Sequence, residues 1–202
     1  MTEQFALNWS NLATTKPAPD ETQQLVNRCL AGDDTAYVAL YNQCSGMIYR
    51  LAYGLLQNKE DAEEVLQDSF EYAFRRLDHF DPRKSAFTTW LYRIAVSRCR
   101  NKRRRKWLPT FSFNQINNEE LTDTDSPSLD ETLALNDRQL AVWQALKTLS
   151  PKLRETAVLR YYHGLRYQEI GDILSIPAKT AESRMRLVHK AMRKILQEQD
   201  IF

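Results

Sequence analysis

Glycine is rare in this sequence, with only five among 202 residues, and proline is also scarce, with seven. Proteins built on short strands need many such turn residues, so an all-β architecture is disfavoured. The chain is instead rich in Leu, Ala, Gln, Glu and Arg, which are good helix formers. The composition therefore favours an all-α fold.

Long apolar runs and closely spaced cysteines are also missing. No segment approaches the roughly 18 consecutive apolar residues that a membrane-spanning helix requires. Residues 1–10 lack the basic stretch and apolar run of a secretory signal. Cys29, Cys44 and Cys99 lie far apart, without a Cys-x-x-Cys pair. We therefore expect a cytoplasmic protein whose cysteines are reduced and packed on apolar helical faces.

Features of an active site are lacking as well. His79, His163 and His189 are scattered, and the sequence has neither a glycine-rich phosphate loop nor a nucleophile motif. We expect each histidine to be a surface or capping residue. We also expect no catalytic residue, no metal site and no cofactor.

Charge is strongly segregated along the chain, although the net charge is only +2. Residues 93–106 hold eight bases and no acid, whereas residues 114–132 hold six acids and no base. Residues 178–194 carry six bases against Glu182 alone. Basic helices of this kind neutralise nucleic-acid phosphates. The plain alternative is a solvated basic face, or cations that favour a helix C-terminus.

Hydrophobic periodicity divides the chain into two helical domains, residues 22–108 and residues 136–199. A flexible arm, residues 1–21, precedes the first domain. Residues 109–135 lack sustained periodicity and are rich in Asn, Asp, Thr and Ser, so they form a flexible acidic linker. Such a linker would let the domains lie well apart on one elongated partner.

The clearest helix extends from about Lys59 to Leu77, and its apolar residues form one continuous stripe. Asp61, Glu64 and Asp68 fall off that stripe. We expect charge reversal there to leave the domain folded. An acidic face cannot bind DNA phosphates and favours a basic protein partner instead, the alternative being an ordinary solvated face.

Aromatic side chains lie at the start of the first basic helix, which we expect to begin near Ser85. Periodicity directs Phe87 to the core, and Trp90 and Tyr92 cannot both share that face. At least one of the two rings should therefore lie near solvent, where it would suit stacking on unpaired nucleotides. The alternative is that all three pack inside.

The second domain has the signals of a helix-turn-helix. The pair 150–151 (Ser-Pro) supplies an N-cap followed by proline at the first helical position, and this helix should stop at Gly164. A short helix over 167–174 and a long helix over 178–196 follow, separated by a turn at 175–177. The second of these helices is the basic one, and in this motif it enters the major groove.

Several segments resemble, in order, those of the sigma-70 family of bacterial RNA polymerase sigma factors. Residues 61–70 (DAEEVLQDSF) are similar to the helix of region two that binds core polymerase. Residues 85–95 (SAFTTWLYRIA) resemble the segment that melts and recognises the minus-ten element. Residues 149–161, 164–170 and 183–184 resemble region four. We expect neither a middle helical domain nor a large N-terminal domain, which would be typical of the extracytoplasmic-function subgroup.

The resemblance implies a sigma factor, not an enzyme, that binds core polymerase, directs it to promoters and helps to melt the DNA. It assigns core-polymerase binding to Asp61, Glu64, Gln67 and Asp68. It assigns minus-ten DNA binding to Arg83, Lys84, Ser85, Trp90, Arg93, Arg98 and Asn101. It assigns minus-thirty-five DNA binding to Arg166, Tyr167, Lys179, Thr180, Ser183, Arg184 and Arg186.

The partners implied are core RNA polymerase, promoter DNA and an anti-sigma factor, without membrane insertion. Arg166 stands where the family usually has a serine, so a phosphate contact could replace an N-cap. One alternative is a helix-turn-helix regulator that acts without polymerase, but it explains only the C-terminal third. The other, a nucleic-acid-processing enzyme, needs acids or a metal site that the sequence does not show.

Overall fold

The computed structural model describes the backbone of residues 19–107 and 144–198, and the side chains of residues 21–106 and 144–193. Regular structure in these ranges is helical, without a strand, which confirms the all-α prediction. The predicted linker, most of the predicted arm and residues 136–143 of the predicted second domain lie outside the described residues. No helix in the described ranges is long and apolar enough to span a membrane.

The first group of helices, here called the first unit, spans residues 19–107. It comprises α1 (Pro19–Leu30), α2 (Asp34–Leu56), α3 (Lys59–Arg75), a 3-10 turn (Leu77–His79) and α4 (Phe87–Trp107). Helix α1 already begins at Pro19, inside the segment predicted to be an arm, because proline fits the first helical position without needing its N–H. Asp33 caps α2, because its carboxylate accepts the Thr35 N–H at 3.0 Å.

Helix α3 lies close to its predicted bounds. Asn58 caps it, since its side-chain oxygen accepts the Asp61 N–H at 2.7 Å. The helix ends at Arg75, two residues before the predicted end at Leu77, and the chain continues as the tighter 3-10 turn. Helix α4 begins at Phe87, two residues later than the predicted start near Ser85.

The second unit spans residues 144–198. After a helical segment at 144–148, it comprises α5 (Pro151–Ala157), a π-helical continuation (Val158–Tyr162), α6 (Tyr167–Leu174) and α7 (Ala178–Glu198). Ser150 and Pro151 begin α5 as predicted, although the Ser150 hydroxyl makes no capping hydrogen bond. Gly164 follows the π-helical turn with φ +62°, and the chain leaves the helix there as predicted.

Helices α6 and α7 form the predicted helix-turn-helix. Ser175 adopts the left-handed conformation, with φ 58°, and the Ile176 N–H donates to the Gly171 carbonyl at 3.0 Å. A Cβ at Gly171 would lie 2.7 Å from the Ile176 carbonyl oxygen. Only glycine therefore allows the turn to close this tightly onto α6.

Apolar side chains fill the interior of both units. The large side chains buried in the first unit include Leu40, Ile48, Leu51 and Leu91, and those in the second include Leu159, Ile170 and Met185. Cys29, Cys44 and Cys99 are free and buried, which confirms their predicted role in packing. Burial raises the pKa of Cys44 and Cys99 to about 12, so both thiols stay protonated.

The two units touch each other. Helix α2 packs against the π-helical turn and α5, and helix α4 packs against α6. Gly54 of α2 allows part of this approach, because a Cβ there would lie 3.0 Å from a methyl carbon of Val158. The predicted linker would let the units separate, whereas in this structure they are in contact.

Candidate nucleic-acid and protein interfaces

The acidic residues of α3 differ in exposure. Glu64, Gln67 and Asp68 are exposed, as expected for a surface that meets another protein. Asp61 is only 8% exposed, because the end of α4 covers it. Its carboxylate lies 3.4 Å from Lys102 Nζ and 2.5 Å from Lys106 Nζ. Asp61 thus has a packing role that its position off the apolar stripe did not indicate, and its reversal should disturb the fold.

Two lysines at the end of the first basic helix face α3. Lys102 pairs with Glu64 as well as Asp61, and the hydrogen bond to Glu64 is the main reason that the pKa of Lys102 is raised. These lysines neutralise acids of their own unit. Only part of the basic cluster is therefore free to neutralise DNA phosphates.

The loop between the 3-10 turn and α4 is organised by Asp81. Its carboxylate accepts the Arg83 backbone N–H and Nε–H, both at 3.0 Å, and lies 3.9 Å from Lys84 Nζ. The Arg83 hydrogen bonds lower the pKa of Asp81 and keep it charged. Arg83 and Lys84 remain 89% and 82% exposed, and Ser85 is half-buried, so a basic loop faces solvent.

Helix α4 presents an aromatic and polar stripe next to this loop. Successive residues are about 100° apart around a helix, so Trp90, Arg93 and Asn101 share one face. Trp90 is half-buried, and its ring centroid lies 5.4 Å from that of Phe80. Arg98 lies on the flank towards α3, with its guanidinium 4.9 Å from the centroid of the Tyr72 ring.

Tyr92 of the first unit and His163 of the second unit are buried where the two units meet. Tyr92 is 3% exposed, so Trp90 is the ring of this pair that reaches solvent. The Tyr92 hydroxyl and His163 Nδ1 are hydrogen-bonded at 2.9 Å. Burial lowers the pKa of His163 to about 3, and the positive charge of Arg50 adds to the effect.

The prediction that every histidine is a surface or capping residue is wrong for His163. His79 and His189 are exposed, but His163 is only 6% exposed. It follows the π-helical turn at the contact between the units. Hydrophobic periodicity could not predict its burial, because His163 lies outside the helices and packs against Tyr92 of the first unit.

The start of the helix-turn-helix combines exposed and packed side chains. The Arg166 side chain is exposed, and its backbone N–H donates to the Glu169 carboxylate at 2.9 Å. The N-terminus of α6 is therefore capped by Glu169 rather than by the residue at 166. Tyr167 is half-buried, with the Arg160 guanidinium 4.9 Å from its ring centroid.

Helix α7 exposes one polar stripe. Lys179, Ser183 and Arg186 lie along it, and Thr180 and Arg184 are half-buried on one flank. The Ser183 hydroxyl donates to the Lys179 carbonyl at 2.9 Å, and Arg186 pairs with Glu182 at 2.6 Å. The predicted minus-thirty-five residues of α7 thus form its accessible face and the border of that face.

The geometry defines a two-part helical protein that combines an acidic face, an aromatic and basic stripe, and a helix-turn-helix. Each of its two units matches the model of a known family. The family "Sigma-70 region 2" matches residues 40–108, and "Sigma-70, region 4" matches residues 139–195.

Relatives of known class align with nearly the whole chain. The RNA polymerase sigma-H factor of Pseudomonas aeruginosa is 30% identical over 186 residues, covering 88% of this chain and 95% of the relative. The ECF RNA polymerase sigma factor SigW of Bacillus subtilis is 32% identical over 173 residues, covering 83% and 92%. The chain belongs to the sigma-70 family and is a polymerase-binding sigma factor of the extracytoplasmic-function type.

Solved structures share the fold at lower sequence identity. CnrH, solved in complex with the cytosolic domain of CnrY, superposes with a TM-score of 0.65 at 22% identity, covering 86% of this chain and 96% of CnrH. The sigma factor RpoE of Bartonella quintana, solved with the anti-sigma factor NepR, gives 0.61 at 20% identity, covering 78% and 94%.

Proposed function

We propose that this chain binds core RNA polymerase, directs it to specific promoters and helps to open the DNA, acting in the cytoplasm as a binding factor rather than an enzyme. Residues 22–108 would bind polymerase and the minus-ten element. Residues 136–199 would bind the minus-thirty-five element, with residues 109–135 as a linker. The DNA strand and the polymerase would be engaged by different faces of the first unit.

The observation that carries this proposal is the surface formed by α4 and the loop before it. Exposed Arg83 and Lys84 lie in a loop ordered by Asp81, and the half-buried Trp90 ring lies at the start of the adjoining helix. Cations beside an accessible aromatic ring suit the phosphates and bases of a single strand. Ser85, Arg93, Arg98 and Asn101 complete the proposed minus-ten site.

The other sites follow from exposure and charge. Glu64, Gln67 and Asp68 would contact polymerase directly, while the buried Asp61 would hold α3 against α4. In the second unit, the stripe of α7 and the N-terminus of α6 would meet the minus-thirty-five DNA. The residues proposed there are Arg166, Tyr167, Lys179, Thr180, Ser183, Arg184 and Arg186.

We also propose regulation by an anti-sigma factor. Two proteins with this fold, CnrH and RpoE, were each solved bound to a partner, CnrY and NepR respectively. A partner that covered the acidic face of α3 would block polymerase. Pull-down from the native cell should therefore recover a second protein besides polymerase, and recovery of polymerase alone under all growth conditions would contradict this.

Reconstitution with purified core polymerase tests the main proposal. The chain should co-elute with core polymerase and make promoter thymines around the start site reactive to permanganate. Trp90→Ala should keep core binding but reduce thymine reactivity, whereas Trp90→Phe, which retains an aromatic ring, should restore much of it. Promoter binding without polymerase association would instead support a regulator that acts alone.

A further inference from the structure

An arginine of α2 lacks an acidic partner in the described parts of the chain. Arg50 is half-buried, and its Nε is buried without a hydrogen-bond partner there. No carboxylate in these parts pairs with its guanidinium, whereas Arg28, Arg75 and Arg100 each have one. A guanidinium stays charged in proteins, so its buried donors need an acceptor.

Glycine allows the Arg50 guanidinium to lie against α2. A Cβ at Gly46 would lie 3.1 Å from Arg50 Nη2, and the three atoms nearest to it would all belong to this guanidinium. The side chain therefore folds back over the bare backbone one turn earlier in the helix. Gly54, one turn later on the same side, is the point where Val158 of the second unit approaches α2. Arg50 thus lies beside the contact between the units.

The second unit brings another unpartnered polar atom to this place. His163 is 6% exposed, and its Nε2 is buried without a hydrogen-bond partner among the described residues. Burial lowers the pKa of His163, and the positive charge of Arg50 lowers it further. A charge acts strongly only over a short distance, so Arg50 and His163 border the same small region.

The other nitrogen of His163 shows which atom carries the proton. Nδ1 lies 2.9 Å from the Tyr92 hydroxyl, whose pKa is raised mainly by burial, so the hydroxyl stays protonated. Nδ1 is the one acceptor for that proton in the described residues. Tyr92 therefore donates to Nδ1, and the single proton of the neutral imidazole lies on Nε2. Like Arg50 Nε, His163 Nε2 is a donor that needs an acceptor.

We propose that Arg50 and His163 form a binding site for a small oxyanion where the two units meet. Two buried donors, one of them charged, require lone pairs and a compensating negative charge, and an oxyanion supplies both. A phosphate has enough oxygens to accept from a guanidinium and an imidazole together. The site shares no residue with the proposed polymerase and DNA sites, so it goes beyond the proposed function.

The surroundings favour an anion over an acid of the chain or a water molecule. Glu169 is the acid whose charge acts on Tyr92, but its carboxylate accepts the Arg166 N–H at 2.9 Å. A water molecule would accept both hydrogen bonds but would leave the charge of Arg50 uncompensated. Since each unit contributes one donor, a bound anion would also tie the units together.

The test titrates the full chain with inorganic phosphate at about pH 7.5, where His163 is neutral, with chloride keeping the ionic strength constant. Calorimetry measures the affinity, and two-dimensional NMR of the imidazole nitrogens locates the site. Arg50→Gln removes the cation, and Gly46→Leu keeps it but displaces the guanidinium from α2. Arg76→Gln is the matched control, because Arg76 is an exposed arginine of the same unit.

We expect the wild type and Arg76→Gln to bind phosphate equally at one saturable site. Phosphate should shift the Nε2 signal of His163 more than the signals of the other two histidines. Arg50→Gln should lower the affinity at least about tenfold, because a hydrogen bond to a charged group contributes that much. Gly46→Leu should lower it in the same direction.

A second titration identifies the source of the anion. Tighter binding of inorganic phosphate than of a nucleoside monophosphate would indicate that the site holds a free oxyanion. The reverse order would indicate that the site holds the phosphate group of a larger molecule.

Absence of saturable phosphate binding by the wild type would overturn the site and leave water as the partner of both donors. Equal affinity in Arg50→Gln and the wild type, or binding that leaves the His163 signal unmoved, would place the anion on another basic surface and would also overturn it. Urea unfolding without phosphate checks that each variant is folded. If Arg50→Gln is not, Gly46→Leu, which keeps the arginine, decides the question. None of these outcomes bears on the proposed function, which uses other residues.

Discussion

At the scale of single residues, Asp61 and Asp68 lie seven residues apart on the same side of α3, yet their surroundings differ. Asp68 is exposed, whereas Asp61 is covered by Lys102 and Lys106. We expect Asp68→Lys to reduce core-polymerase affinity about tenfold, with the free energy of unfolding changed by less than about 0.5 kcal/mol. Titration with core polymerase and urea unfolding of the free chain measure the two effects.

Asp61→Lys should instead lower the free energy of unfolding by roughly 3 kcal/mol or more, because it places a third cation beside two lysines. Its effect on polymerase binding would then follow from damage to the fold. Glu21→Lys, an exposed reversal on α1, is the control for net charge. Urea midpoints that coincide for Asp61→Lys and Glu21→Lys would show that the pairs with α4 do not stabilise the domain.

The surroundings of Asp61 could not be predicted from the sequence. Periodicity correctly separated the apolar stripe of α3 from its acids. It could not show that the end of α4 crosses the first turn of α3, because that contact joins residues 41 to 45 positions apart. Lys102 and Lys106 consequently resembled phosphate-binding residues, although both pair with acids of α3.

At the scale of elements, helix α7 separates residues suited to base reading from residues suited to phosphate contact. Arg184 is half-buried near the N-terminal end, so its packed stem loses less freedom when its guanidinium binds a base. Lys190 is exposed further along the helix. We expect Arg184→Ala to cost roughly 1–3 kcal/mol at promoters with the preferred base and to relax selection at that position.

Lys190→Ala should weaken all promoters alike and flatten the salt dependence, because a phosphate contact carries no base information. A library of minus-thirty-five sequences, transcribed by each variant at two salt concentrations, compares the two effects. A uniform loss across the library for Arg184→Ala would make Arg184 a phosphate contact and would contradict the proposed orientation of α7.

The helices themselves were largely predictable because their signals are local. Asp33 and the Ser150-Pro151 pair mark helix starts, and Gly164 marks a helix end. The exact start of α4 and the π-helical turn were not predictable. Both depend on packing against other elements, and no cap or turn residue in the sequence specifies them.

At the scale of the whole molecule, the contact between the units was the feature least accessible from sequence. Glu155 and Arg100 are 55 residues apart, and Tyr92 and His163 are 71 apart. Neither pair forms a motif. The segregated charges pointed to nucleic acid, but one arginine of the first basic block also completes an internal ion pair. A basic block in the sequence therefore does not show which of its cations are available to DNA.

His163 also makes the stability of the whole molecule depend on pH. Its pKa is lowered to about 3 in the folded chain, mainly by burial and further by the positive charge of Arg50 of α2. A histidine in an unfolded chain has a pKa of about 6.5. Between these values the unfolded chain binds a proton that the folded chain does not, so stability falls as the pH falls. We expect a loss of about 1.4 kcal/mol on going from about pH 7.5 to about pH 5.5.

Urea unfolding at the two pH values measures this loss, and His163→Gln should remove most of it. Glutamine does not titrate, yet its carbonyl can still accept the Tyr92 hydroxyl hydrogen bond that His163 Nδ1 now shares.

His189→Gln is the control: burial lowers the pKa of His189 too, but that side chain is exposed and should contribute less. The acids with lowered pKa values, Asp33 and Asp81 among them, lose their contribution only below this pH window. If His163→Gln kept the full pH dependence while His189→Gln removed it, the titrating group would lie on α7, and the buried histidine between the units would not be its source.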